Sequence, residues 1–188
     1  MSITTLDPKT ALIVVDLQKG IANLPAVVPP VSQTVAGVVA LVEAFRRHEL
    51  PIVLVNVAGG APGRNEQPHQ AFAMPDDWTE LLPELNQQPH DHLVTKRTWG
   101  AFTGTDLEAH LRASGVTQVV LAGIATSIGV ESTARQAHER GFNVTLATDA
   151  MSDLNAQAHE NSLLRIFPRL GETGTAQAIC EALDQRDA

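Results

Sequence analysis

Short apolar runs alternate along the chain with longer segments whose apolar residues recur at helical spacing. The run Ala11–Asp16 predicts a first strand, Val31–Glu49 carries a helical pattern, and the strand pattern returns at Pro51–Val57. Further strands are predicted at His92–Lys96, Gln118–Gly123, Asn143–Asp149 and Arg169–Gly171. Strands that alternate with helices favour a parallel sheet covered by helices on both faces.

Helical patterns occupy the other intervals between the strands. They are predicted from Thr103 or Thr105 to Ser114, and at Thr126–Arg140, Asn155–Phe167 and Thr173–Leu183, with a short piece at Thr79–Leu85. Residues 58–77 are rich in Gly, Pro and polar side chains and predict a long, functional or mobile loop. The expected fold class is α/β: one domain over residues 1–188, a three-layer α/β/α sandwich with a mostly parallel, Rossmann-like sheet of about six strands.

Composition narrows the compartment and the partners. Of the 188 residues, 44% are hydrophobic and 18% charged, which is typical of a compact protein. The net charge of −8 argues against nucleic acid or an anionic membrane as a partner. Cys180 is the single cysteine, so no intrachain disulfide can form and a reducing compartment is favoured. We therefore expect a cytoplasmic protein, and its net charge does not argue against a small-molecule substrate.

Three predicted strand ends carry candidate chemistry. Asp16 ends the first strand, Lys96 ends the third, and the segment Ala125–Gly129 follows the fourth. Ligands of open α/β sheets bind beyond the carboxyl ends of the strands, and in a parallel sheet these ends lie along one edge. The pattern therefore predicts a site in which a carboxylate, an ammonium group and a turn converge.

The motifs at these positions resemble the isochorismatase-like (cysteine hydrolase) superfamily. Val14-Val-Asp-Leu-Gln18 resembles its first-strand motif, Lys96-Arg-Thr-Trp-Gly-Ala-Phe-Thr-Gly-Thr105 its lysine motif, and Gly123-Ile-Ala-Thr126 the start of its turn G-[IV]-x-[ST]-x-x-C. The resemblance implies that Asp16 and Lys96 are catalytic. Gly129 stands where most members carry the nucleophilic cysteine, so the chain resembles a member that lacks the nucleophile.

The resemblance to isochorismatase itself implies chemistry without a covalent intermediate. Asp16 would act as a general acid on the methylene carbon of an enolpyruvyl (vinyl) ether, water would add, and the hemiketal would collapse to pyruvate and an alcohol. Lys96 would bind a carboxylate or stabilise developing charge, and the amides of Ala125 and Gly129 would bind an oxygen. In this family the peptide between the residues matching Ile124 and Ala125 is often cis.

Four further residues are candidates for substrate contacts. Gln18 is expected either to orient substrate or water or to face solvent. Trp99 is expected either to form a pocket wall or to pack in the core or at a subunit interface. Arg97 is expected either to bind a carboxylate through two N–H groups of its guanidinium or to lie on the surface. His69, in the long loop, is a weaker candidate for reaching the site.

Two alternatives to vinyl-ether hydrolysis stay open. One is an amidase in which water or Ser127 replaces the missing thiol, and the other is an oligomeric ligand-binding relative without turnover. No metal and no cofactor are predicted, because the nicotinamidase branch has an Asp-x-His metal motif where this chain reads Asn56-Val-Ala-Gly. Relatives usually form homo-oligomers, so a homo-oligomer is expected here.

Overall fold

A computed structural model describes residues 3–24, 28–66 and 75–186 of the chain; His69 lies outside these residues. Six strands form one parallel sheet in the order β3-β2-β1-β4-β5-β6. They are β1 (Thr10–Val15), β2 (Ile52–Val57), β3 (His92–Lys96), β4 (Gln118–Ile124), β5 (Asn143–Ser152) and β6 (Glu172–Gly174). The predicted α/β fold with a parallel sheet of about six strands is confirmed.

Helices cover both faces of the sheet. They are α1 (Lys19–Ala22), α2 (Val31–Arg47), α3 (Leu107–Ala113), α4 (Glu131–Glu139), α5 (Ala156–Asn161) and α6 (Ala176–Arg186). Alternate residues of β1 enter two separate cores, because successive side chains of a strand point to opposite faces. Leu12 packs with residues of α2 and α6, whereas Ile13 packs with residues of α3 and α4. No helix among the described residues is long and apolar enough to cross a membrane.

The order of the strands locates the edge at which a ligand is expected. From β1 the chain first builds outward through β2 to β3, and then returns to the other side of β1 with β4, β5 and β6. The direction of winding therefore reverses between β1 and β4. In doubly wound sheets, ligands bind beyond the carboxyl ends of the strands at this switch point.

Some helical predictions were wrong in kind or in extent. The segment predicted as one helix from Thr126 begins with a π-helical turn, Thr126–Val130, before α4 continues. The piece predicted at Thr79–Leu85 is reduced to a 3₁₀ turn at Pro83–Leu85, where Pro occupies the first helical position.

In the C-terminal third of the chain, the strands and helices begin and end at other residues than the sequence predicted. Strand β5 continues three residues beyond Asp149, since its pairing with β4 shifts register and resumes between Gly123 and Met151. The helix predicted over Asn155–Phe167 changes after α5 into a π-helical turn and then a 3₁₀ turn, Phe167–Arg169. The predicted last strand, Arg169–Gly171, is instead the end of that turn and the two residues that follow it, and β6 begins at Glu172.

Candidate active site

Asp16 is the residue at which the chain leaves the central strand. Its backbone N–H donates to the Val55 carbonyl at 2.9 Å, which continues the ladder between β1 and β2. Its φ of 52° lies in the left-handed region, which an Asp tolerates better than most side chains. The residue is only 5% exposed, so its carboxyl group lies in the interior at the switch point of the sheet.

Lys96 reaches this carboxyl group from the edge strand. Strand β3 is two positions away from β1, roughly 10 Å at the usual strand spacing, and only a long side chain can cross the end of β2. The Lys96 Nζ donates to Asp16 Oδ2 at 2.7 Å and to the Thr98 carbonyl at 3.2 Å. The structure thus brings together the two charged residues that the strand ends predicted.

The Asp16–Lys96 pair is buried, and burial dominates its electrostatics. Removal from water raises the pKa of Asp16 to about 6, although the charge and the hydrogen bond of Lys96 both lower it. The second carboxyl oxygen, Oδ1, is buried and has no hydrogen-bond partner among the described residues. Near neutral pH this carboxyl group can therefore hold or release a proton, and one of its oxygens is available to a ligand.

The turn after β4 lies on the other side of β1 and is held by the end of β5. The Thr126 hydroxyl donates to the Ser152 carbonyl at 3.1 Å and pairs with His159 Nδ1 at 2.8 Å. The Ser127 N–H donates to Asp153 Oδ2 at 2.6 Å. These contacts tie the turn to the end of β5 and to α5. The peptide between Ile124 and Ala125 is cis, as the resemblance implied.

Asp16 and Lys96 open into a cavity of about 210 Å³. Most of its described lining is apolar and includes Ile21, Leu24, Val57, Ile124, Ile128 and Leu154. Trp99 and Ala125 line it as well, and Trp99 leaves 64% of its surface exposed. Four of the residues predicted from the sequence therefore share one small, largely apolar pocket.

Comparison with known proteins gives this arrangement a family. A family model described as the isochorismatase domain matches residues 10–178. The chain belongs to the isochorismatase family. It is 45% identical over 180 residues to the uncharacterized isochorismatase family protein YwoC of Bacillus subtilis, and the match covers 92% of this chain and 93% of that protein. The structure of an isochorismatase family protein from Burkholderia thailandensis, 43% identical, matches 97% of this chain and 100% of its own with a TM-score of 0.92.

More distant members carry the names of hydrolases. Nicotinamidase 3 of Arabidopsis thaliana is 26% identical over 83% of this chain and 79% of its own length. The ureidoacrylate amidohydrolase RutB of Variovorax paradoxus is 29% identical over 79% of this chain and 71% of its own length. The predicted family and the predicted class of enzyme, a hydrolase, are confirmed.

Gly129 of this isochorismatase-family hydrolase lies directly against Asp16. A Cβ atom built at this glycine would lie 3.2 Å from Asp16 Oδ2 and 3.1 Å from Val15 Cγ1. A side chain at this position would therefore touch the carboxyl group, and even its Cβ would require small shifts. The single thiol of the chain, Cys180, lies elsewhere, on α6, with its Sγ 3.7 Å from the Ala40 carbonyl of α2.

Two predicted contact residues brace the cavity without lining it. The sequence suggested that Gln18 contacts substrate or faces solvent, but its side chain is fully buried. Its side-chain amide donates to the carbonyls of Val57 and Trp78, both at 3.0 Å, and accepts from the Val57 N–H at 2.7 Å. Arg97 is exposed and donates to the Ala58 carbonyl at 3.1 Å. Both side chains hold the segment that follows β2.

Two other residues considered from the sequence, Ser127 and Asn56, do not belong to the described lining of the cavity. Asn56, which stands where the nicotinamidase branch has its metal motif, donates to the Thr79 carbonyl at 2.9 Å. In the described part of the chain no three His, Cys, Asp or Glu side chains are arranged to hold a metal ion.

Several residues of the site escaped sequence reasoning. Thr98 accepts from Lys96 through its backbone, a contact that carries no side-chain signature. Asp153 and Leu154 follow the carboxyl end of β5, so the rule that located Asp16 and Lys96 applies to them too. They were missed because β5 was expected to end at Asp149. The contribution of α1, through Ile21, was missed because that helix was not predicted.

Proposed function

We propose that this isochorismatase-family hydrolase cleaves a vinyl-ether bond of the isochorismate type without a covalent enzyme intermediate, with Asp16 as the general acid. The observation that carries the proposal is the contact between Gly129 and Asp16. A nucleophilic side chain at this position would touch the Asp16 carboxyl group, and glycine supplies none. The carboxyl group that remains is buried, and its pKa is raised to about 6, which suits proton donation.

In the proposed reaction Asp16 first gives its proton to the methylene carbon of an enolpyruvyl ether. The π-electron pair forms the new C–H bond, and the former vinyl carbon becomes an oxocarbenium ion. The oxygen of a water molecule bonds to this carbon, and the Asp16 carboxylate accepts the proton that the water loses. The resulting hemiketal breaks its C–O bond as its hydroxyl proton passes to the departing oxygen, which yields pyruvate and an alcohol.

Lys96 stabilises the ionised form of Asp16. Once the proton has left, its ammonium group stabilises the carboxylate across the 2.7 Å hydrogen bond. The backbone amides of Ala125 and Gly129, in the turn at the end of β4, are proposed to bind a substrate oxygen. The largely apolar lining of the cavity lowers the local dielectric constant, which strengthens these interactions.

An amidase is the second candidate, and the names of the more distant relatives favour it. In that reaction the ionised form of Asp16 would act as a base toward water, or Ser127 would attack directly. Ser127 is the weaker nucleophile candidate, because it lies outside the described lining and its backbone is tied to Asp153.

A homo-oligomer without turnover is the third candidate. Size-exclusion chromatography with light scattering tests its assembly, and ligand binding without product formation would support it.

The deciding experiment compares two product assays on purified protein. Enolpyruvyl ethers, including isochorismate, are followed by pyruvate release, and a panel of small amides by ammonia release. Asp16→Asn is the matched variant, because Asn keeps the shape and tolerates the left-handed backbone. We expect pyruvate release that falls by a factor of about 100 or more in this variant, as for loss of a general acid. The intact protein mass should stay unchanged during turnover.

An Asp16→Asn variant that releases pyruvate at the wild-type rate would contradict the proposal. Ammonia release together with a covalent adduct on Ser127 would establish the amidase instead. Binding without either product would favour the ligand-binding relative.

A further inference from the structure

Charge is scarce in the cavity. Among the described residues that line it, Asp16 and Lys96 are the only ionisable side chains, and they are paired. The internal stretches outside the described residues, 25–27 and 67–74, contain no Lys, Arg, Asp or Glu in their sequence, and His69 is their one titratable residue. The charge that this pair presents to a ligand therefore depends on the proton of Asp16.

The two charge states suit different ligands. With Asp16 ionised, the pair is neutral, and with Asp16 protonated it carries one positive charge. The general-acid step requires the protonated state. A substrate with one negative charge therefore complements the state that reacts, whereas a neutral substrate complements the state that does not.

Two atoms of the pair remain available to such a ligand. An ammonium group has three N–H donors, and toward the described residues Lys96 uses two of them, to Asp16 and to the Thr98 carbonyl. The Asp16 Oδ1 atom is buried without a partner in the described part of the chain. A carboxylate bound to the third donor would compete with Asp16 for the ammonium charge. Protonated Oδ1 would then be left to donate to the reacting carbon.

We propose that the substrate is a compact monocarboxylate, and that its carboxylate binds Lys96 and thereby draws a proton from solvent onto Asp16. This inference rests on the proposed function, because it takes the protonated carboxyl group as the reacting form. Binding would then prepare the acid in the same step that positions the substrate. The remainder of the molecule would be uncharged, since it meets apolar side chains such as Ile128 and Leu154.

A second carboxylate would find no further cationic side chain among the described residues that line this cavity. It would lie against apolar side chains in a space of about 210 Å³, and a buried charge without a partner is costly. Arg97 is a cation near the cavity, but its guanidinium group is hydrogen-bonded to the Ala58 carbonyl and is not part of the described lining. Isochorismate carries two carboxylates, so we expect it to bind less well than a monocarboxylate ether of similar size.

Binding of unreactive probes tests this charge preference without turnover. The saturated 2-methoxypropanoate is the monocarboxylate, 2-methoxypropanamide its neutral match and methoxysuccinate its dicarboxylate match. Calorimetric titration near pH 7, in two buffers of different ionisation enthalpy, gives the protons taken up per ligand bound. For a group with a pKa of about 6 that becomes protonated on binding, the expected uptake is about 0.9 proton.

We expect this uptake for 2-methoxypropanoate, none for the amide, and at least about tenfold weaker binding for the amide and the dicarboxylate, the loss of one good charged contact. Asp16→Asn should bind the monocarboxylate without proton uptake, and Lys96→Met should lose the preference for it over the amide. Monocarboxylate binding without proton uptake in the wild type, or equal binding of the amide, would overturn the inference.

The enol ether 2-methoxyacrylate separates this inference from the proposed function. Its hydrolysis by the wild type but not by Asp16→Asn, together with no proton uptake by the saturated probe, would reject the charge coupling and keep the general acid. Proton uptake on binding together with no hydrolysis of any enolpyruvyl ether would keep the ligand class and reject the reaction.

Discussion

Acidification should activate the enzyme, because the proposed acid works only in its protonated form. With a pKa of about 6, Asp16 is protonated in about 1% of molecules at pH 8, about 9% at pH 7 and about 90% at pH 5. The value of kcat/KM for an enolpyruvyl ether should therefore rise by a factor of about 90 between pH 8 and pH 5 and then level off. The assay is pyruvate release, and the rate without enzyme is subtracted because enol ethers hydrolyse slowly in acid.

Replacing the partner of the acid should move this profile. Lys96→Met keeps an unbranched side chain of similar length and removes the ammonium group that lies 2.7 Å from Asp16 Oδ2. An opposite charge at such a distance lowers the pKa of a carboxyl group by about 1–3 units. The midpoint of the profile should therefore move upward by about 1–3 pH units, on a lower overall rate. Lys19→Met is the control, because Lys19 pairs with Asp77 and Glu80 at an exposed site.

Two results would refute this reasoning. A rate that falls with acidification through a midpoint near pH 6 would mean that Asp16 works as a base in its ionised form, as in an amidase. A midpoint that Lys96→Met leaves in place, in a variant whose unfolding midpoint shows it to be folded, would mean that the ion pair does not set the pKa of Asp16.

Three further changes test the rest of the site. Gln18→Ala should lower the free energy of unfolding in urea by about 2–4 kcal/mol, because it removes three buried hydrogen bonds; an unchanged value would contradict the bracing role. Gly129→Cys should introduce a thiol that iodoacetamide alkylates faster than Cys180, whose pKa is raised by burial, and equal rates would argue against a base beside position 129. Trp99→Ala should raise KM by about fivefold or more with little change in thermal stability, whereas Leu164→Ala, at the same 64% exposure, should leave both unchanged; equal effects of the two would remove Trp99 from the binding site.

The alternation of strand and helix patterns was sufficient to predict the fold and the meeting of Asp16 with Lys96. Parallel strands place their carboxyl ends on one edge, so two residues that are 80 positions apart in sequence become neighbours once each is assigned to a strand end. Local pattern carried this information because the apolar run of β1 is followed directly by Asp16, and β3 ends on Lys96. The structure also places Ala125 and Trp99 on the same cavity.

Contacts that depend on distant backbone could not be predicted in this way. Gln18 bonds to the Trp78 carbonyl, 60 residues away and outside any regular element, so its sequence context suggests only a polar residue beside the site. The end of β5 was misplaced because Thr148 and Asp149 interrupt the apolar run, while register with β4 is recovered beyond them. That misplacement hid Leu154, which lines the cavity.

The most direct test of the central claim is hydrolysis of 2-methoxyacrylate in deuterium oxide, with the pyruvate trapped by immediate reduction. If a carboxyl proton of Asp16 is transferred to carbon, the product methyl group carries one deuterium, and the reaction is slower than in ordinary water. The same reaction should be lost in Asp16→Asn. Pyruvate formed by Asp16→Asn at the wild-type rate, or no pyruvate from the wild type, would contradict the assignment of Asp16 as the general acid.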